Sequence, residues 1–145
     1  PLLRRPGEGE DIVADYAHLG FTLGRHPLAL LRERLQRQRC VTAAELAQSE
    51  PGTRVRTAGL VITRQRPGTA TGVVFVTLED ETGSINVIVW SSLVEAQRRE
   101  LLHARLMGVV GEVQRDGEVV HLVAQRLSDH SALLGRLLAP SRDFH

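Results

Sequence analysis

The stretch Phe75-Val76-Thr77-Leu78-Glu79-Asp80-Glu81-Thr82-Gly83-Ser84-Ile85-Asn86-Val87-Ile88-Val89-Trp90 reads as two strands joined by a tight turn. Side chains of a strand alternate between its two faces. The first strand, Val73–Glu79, therefore separates Val74, Val76 and Leu78 from Phe75, Thr77 and Glu79. The second, Ser84–Trp90, separates Ile85, Val87 and Val89 from Asn86, Ile88 and Trp90. The aliphatic sets predict a core face. The other sets mix polar and aromatic residues, as a half-solvated binding face does. Between the strands, Glu79-Asp80-Glu81 leads into a turn marked by Gly83, where an Asp side chain bonds nearby backbone amides. That places the acidic run in a structural role, since a hard-cation cage needs more converging oxygens.

Working outward, Arg54–Arg66 has period-two stretches with Gly59 inside, a residue that often marks a bend or bulge in a strand. Ser91–Leu102 reads as a helix and Arg105–Gln114 as a fourth strand. Asp116-Gly117 signals a two-residue hairpin into a fifth strand, Glu118–Leu127. Three strands, a helix and two strands make a five-stranded OB-fold Greek-key barrel, a mainly β architecture that commonly binds oligonucleotides. A helical N-terminal extension precedes it. Asp11–Leu19 predicts a short helix, and Pro27 opens a second with Leu28, Leu31 and Leu35 at helical spacing. The arginines of Arg32–Arg39 are expected on its wet face. Thr42 begins a third helix, with Glu45 completing a capping box, and Pro51-Gly52 ends the segment. The expected divisions are residues 1–50, helical; 51–128, the barrel; and 129–145, a tail. In the tail Leu133, Leu134, Leu137 and Leu138 either cover the barrel or stay open to a partner.

The 145 residues carry a formal net charge of only +1, so any nucleic-acid site must come from local concentration of positive charge. All 18 basic residues are arginine, which stacks on bases and grips phosphates bidentately. No apolar run approaches the roughly 18 residues that cross a bilayer. The N-terminus lacks the features of a signal peptide, and without an initiator Met the chain reads as an excised fragment. The single Cys40 excludes an internal disulfide and fits a reducing cytoplasm. No zinc-like grouping, nucleophile triad or phosphate loop is present.

Phe75–Trp90 closely resembles the OB domain of C-family bacterial DNA polymerases. Leu19-Gly20-Phe21-Thr22-Leu23-Gly24-Arg25-His26-Pro27-Leu28 is similar to the segment entering that domain, and Val55–Val61 to its first strand. Arg66-Pro67-Gly68-Thr69 and Ser141-Arg142-Asp143-Phe144-His145 look most like the error-prone, DnaE-type (ImuC-like) branch. The loop Thr69-Ala70-Thr71-Gly72 lacks the lysines that the replicative branch often carries there. The resemblance implies the C-terminal OB region of a translesion DNA polymerase, a nucleotidyltransferase acting in DNA damage repair and replication. It also implies Y-family-like and RecA-like accessory partners. The parent enzyme is expected to use magnesium at carboxylates outside this stretch, leaving the fragment without catalytic residues or cofactor.

The expected ligand is single-stranded template DNA. Phe75 and Trp90 are candidate stacking platforms, beside Thr77 and Asn86. Trp90 has a competing expectation, packing against the helix that follows it. Arg56, Arg64 and Arg66 share one face of the first strand by simple alternation, and Arg115 lies at the later hairpin. Together they would line a groove for phosphates. The alternatives are a protein-docking module for accessory subunits and the anticodon-binding barrel of an aminoacyl-tRNA synthetase.

Overall fold

A computed structural model of the chain describes residues 24–67 and 71–137. The expected helix over Asp11–Leu19, Leu138, residues 68–70 of the loop and the ending Ser141–His145 lie outside the described residues. The elements run α1 (Pro27–Arg37), β1 (Cys40–Val41), α2 (Ala43–Ala47), β2 (Arg54–Gln65), β3 (Val74–Asp80) and β4 (Gly83–Val89). They continue with α3 (Ser91–Ala96), α4 (Arg98–His103), β5 (Leu106–Asp116), β6 (Val119–Asp129) and α5 (Ser131–Leu137).

The sheet order is β1-β2-β3-β4-β6-β5, and a β2–β5 pairing closes the five long strands into the expected OB-fold barrel. All the long pairings are antiparallel except β4 with β6. Register fixes which side chains face inward. Val76 lies opposite Val87, Val87 beside Leu122 and Leu122 opposite Val113, and all four are buried. With Leu78, Ile85 and Met107 they form the barrel interior. Each such side chain contributes about 1.5–3 kcal/mol by leaving water. The helix expected over Ser91–Leu102 breaks in two at Gln97. There the side-chain amide takes the backbone N–H of Leu127 at 2.7 Å and donates to its carbonyl at 2.9 Å. The hairpin loop is Gly117-Glu118, one residue later than expected, with Gly117 at φ 66.

A second apolar cluster lies outside the barrel. Leu28, Leu31 and Leu35 of α1 meet Ala58, Leu60, Leu106 and Leu134. Leu133 and Leu137 pack against the same cluster, so these three tail leucines cover the barrel. Pro27 stands at the first turn of α1, and His26 Nδ1 caps it by accepting the Leu28 N–H at 3.1 Å. Thr42 and Glu45 form the expected capping box on α2. β1 is a strand where only helix was expected, pairing parallel with β2 through Cys40↔Arg56 and Val41↔Thr57.

The acidic run is consumed by the fold. Asp80 Oδ1 accepts from the Thr82 and Gly83 amides at 2.8 and 3.1 Å, closing the β3–β4 turn, while Oδ2 accepts from Ala43 N–H at 2.8 Å. Arg32 is not on a wet face: its guanidinium grips Glu81 through two hydrogen bonds of 2.7 and 2.8 Å. That bridge ties α1 to the turn.

The hydrogen bonds from Arg32 hold the Glu81 carboxyl below its ordinary value against an opposing effect of burial. A carboxylate with a depressed folded pKa adds stability that is present above the unfolded value of about 4.3 and disappears as pH falls through the folded value. Wild type should therefore lose stability on acidification faster than Glu81→Gln. The gap between their urea midpoints should be largest near neutrality and shrink in acid. Glu33→Gln, on the exposed part of α1, should show no such convergence. Parallel acid curves for wild type and Glu81→Gln would refute this account of the bridge.

Candidate nucleic-acid interface

The outer face of β3 and β4 is built by the same register that buries Val76 and Val87. One row runs Gln65, Phe75, Ile88, Val123, and the next runs Thr63, Thr77, Asn86, His121, Gln114. Phe75 is 38% exposed and Trp90 51% exposed. Thr77 and Ile88 are half-buried, and Asn86 is exposed, with its amide 3.5 Å from the Val120 carbonyl. This face is apolar at the Phe75 end and polar at the Asn86 end.

Half of the Trp90 surface is open to solvent. The residue sits at the N-cap of α3, ahead of Val94 and Leu101, which supply the apolar contacts of α3 and α4 with the barrel end. Arg66 is exposed and follows directly on Gln65, the cross-strand partner of Phe75, just past the end of β2.

The four expected arginines do not converge. A bulge between Val61 and Thr63 inserts Ile62 and reverses the alternation of β2, so Arg56 and Arg64 lie on opposite faces. The bulge falls here and not at Gly59; a Cβ on Gly59 would meet Leu78 Cβ at 3.0 Å, so that glycine marks a close approach of strands. Arg64 turns beneath the barrel. Its Nε donates to the Leu101 carbonyl at 2.6 Å and its Nη2 donates to the Ala104 carbonyl. These are carbonyls that the end of α4 would otherwise leave unpaired. Burial lowers the pKa of this guanidinium, and nearby Arg105 lowers it further. Arg115 donates to the Ala47 carbonyl at the end of α2, at 3.1 Å. It pairs with Val120 toward the β3–β4 turn, at the other end of the strands from Arg66. Arg56 stands on the β2–β5–β6 wall, donating to the Gln38 carbonyl at 3.4 Å.

Thr63, Gln65, Gln114 and His121 join the face without having been expected there. His121 Nδ1 is buried and has no hydrogen-bond partner among the described residues, unusual for a histidine nitrogen. Its placement depends on the parallel β4–β6 register, which no local pattern discloses. Cys40 is buried, and burial pushes its thiol pKa up, so it is held as the inert thiol.

A closed barrel of this strand order with an exposed aromatic and polar face on its second and third long strands defines a class, and residues 55–129 match the family of OB-fold nucleic acid binding domains. The chain belongs to that family. Over all 145 residues it is 64% identical to an error-prone DNA polymerase of Alkalilimnicola ehrlichii, of which it covers 14%. It is 63% identical over 143 residues, 99% of the chain, to an error-prone DNA polymerase of Azoarcus sp., covering 13% of it. The chain thus spans a small part of the length of these relatives, and the resemblance carried by Phe75–Trp90 agrees with them. Asparaginyl-tRNA synthetase from Pyrococcus horikoshii is similar in fold, with a TM-score of 0.54 at 23% identity over 63% of this chain and 22% of that one. Among the described residues no helix is long and apolar enough to cross a membrane.

Proposed function

We propose that this chain is the module with which an error-prone DNA polymerase holds single-stranded template DNA, on the outer face of β3 and β4. The observation that carries this reading is the exposure of Phe75 and Trp90 at one end of a polar strand face, with the exposed Arg66 one residue past Gln65, the partner of Phe75. An aromatic face stacks any base, which suits a template of arbitrary sequence. Thr77 and Asn86 offer hydrogen-bonding groups to bases or sugars along the same path. The small net charge implies modest affinity for the isolated chain, with the rest of the polymerase supplying further grip. DNA-directed synthesis by the parent, translesion repair with Y-family-like and RecA-like partners, and a cytoplasmic setting belong to the same proposal and rest on resemblance.

The test is titration of the 145-residue chain with labelled single-stranded DNA at several salt concentrations. Phe75→Ala should weaken binding by about 1–3 kcal/mol while leaving the salt dependence nearly unchanged, because stacking releases few ions. Arg66→Glu should instead flatten the log-log salt slope by roughly 0.7. Binding by wild type that is indifferent to both substitutions would refute the assignment of this face.

A further inference from the structure

We infer that the β2–β5–β6 wall carries a second, separate binding site, for a phosphate group. Its centre is a cross-strand row in which Arg56 lies opposite Val110 and Val110 opposite Arg126. Neighbouring strands are about 4.8 Å apart, so the two arginines stand roughly 10 Å apart on either side of a small aliphatic floor. Guanidinium groups on stems of that length converge readily on one tetrahedral anion. The next row is Ala58, Gly108 and Ser128. The His130 ring lies over Gly108, where a Cβ would come within 2.7 Å of Nε2. The missing side chain makes room for that ring, which with Gln38, Arg56, Gly108, Arg126 and Ser128 forms part of the lining of a cavity of about 290 Å³.

An adjoining groove extends the positive surface from Arg56 to Arg39 and Arg54. Arg39 holds a left-handed backbone, φ 65, at the end of α1, where glycine is the ordinary occupant. None of these four arginines has a carboxylate within ion-pairing distance among the described residues. The nearest acidic groups in the register are Glu112, opposite Arg54, and Asp129. Glu112 accepts from Gln114, and Asp129 accepts from Ser131. Gathering unpaired guanidiniums around one pocket is unfavourable unless an anion joins them, and arginine suits phosphate through its planar donor fork. Burial lowers the His130 pKa, so the ring enters the pocket neutral, as a hydrogen-bonding group. The chemistry fits a phosphodiester of a nucleic-acid strand leaving the stacking face, or free phosphate. The geometry is independent of Phe75 and Trp90.

The test uses the 145-residue chain and two probes. Inorganic phosphate is titrated while amide NMR shifts of Gly108 and His130 are followed; single-stranded DNA is titrated across a salt series. Wild type should show saturable shifts with phosphate, and Arg56→Glu with Arg126→Glu should abolish them while keeping the wild-type melt. The same double variant should flatten the DNA salt slope by about 1.4, two contacts at roughly 0.7 each. Should it unfold, Arg39→Glu with Arg54→Glu should weaken both responses in the same direction. Phosphate shifts lost without any change in the DNA slope would support a free-phosphate site. Absence of saturable phosphate shifts in wild type, together with an unchanged DNA slope in a folded double variant, would overturn the site. The phosphate arm reads this pocket even if the β3–β4 face binds no DNA.

Discussion

Val87→Asp should leave the chain without a cooperative unfolding transition. Val87 is 1% exposed and lies between Val76 and Leu122 in the inward row of the barrel. Its immediate cross-strand neighbours, Val76 and Leu122, offer a carboxylate no partner. Burying an unpaired ion costs several kcal/mol even after relaxation, and the lost valine packing adds to that. Domains of this size are stable by only about 5–15 kcal/mol, so the substitution removes most or all of the margin. Asn86→Asp is the matched control, since the neighbouring side chain is exposed on the opposite face. It should melt near wild type. A near-native melt for Val87→Asp would mean that β4 presents its other face to the core.

The next largest effect is expected at Asp80, which is 2% exposed. Its carboxylate accepts from the Thr82 and Gly83 amides, the Thr82 hydroxyl, the Ala43 amide and the Arg32 guanidinium. Asp80→Ala removes the acceptor for all five and strands the buried Ala43 N–H beside a half-buried arginine. Removing one member of a buried ionic network costs about 3–5 kcal/mol, mostly from the groups left behind. Asp80→Asn should fall between wild type and alanine, because it retains one acceptor oxygen for the turn. Urea denaturation should show a lower midpoint with an unchanged slope. A loss below about 1 kcal/mol would mean that water replaces the carboxylate, and the turn is not organised by it.

The barrel was legible because its strands alternate cleanly and its turns carry Gly83 and Asp116-Gly117, signals that act within a few residues. β1 was not, since Cys40 and Val41 are too short a run to show any period. The split of α3 from α4 was equally hidden, because Gln97 is turned by Leu127, a residue far along the chain. The same limit divides the candidate site. Phe75, Thr77 and Asn86 fall on one face by local alternation and the strand pairing that follows from it, with Trp90 exposed just past the end of β4. The arginine groove failed at Ile62, where one inserted residue reversed the alternation between Arg56 and Arg64. Arg64 and Arg115 were then claimed by helix-end carbonyls that a strand pattern cannot foresee.

The β2–β5 seam has a kinetic consequence. Arg54 meets Glu112 and Leu60 meets Leu106, so the barrel closes by joining distant parts of the chain. The β3–β4 hairpin, by contrast, joins neighbours across a two-residue loop. Closing a long loop spends chain entropy before the seam gives anything back, and barrels built this way fold in milliseconds to seconds. During synthesis the hairpin that carries Phe75 emerges with its partner strand close behind, while β2 waits for β5. The two faces of the finished domain thus belong to different moments of its assembly: the aromatic one to local pairing, the arginine wall to final closure.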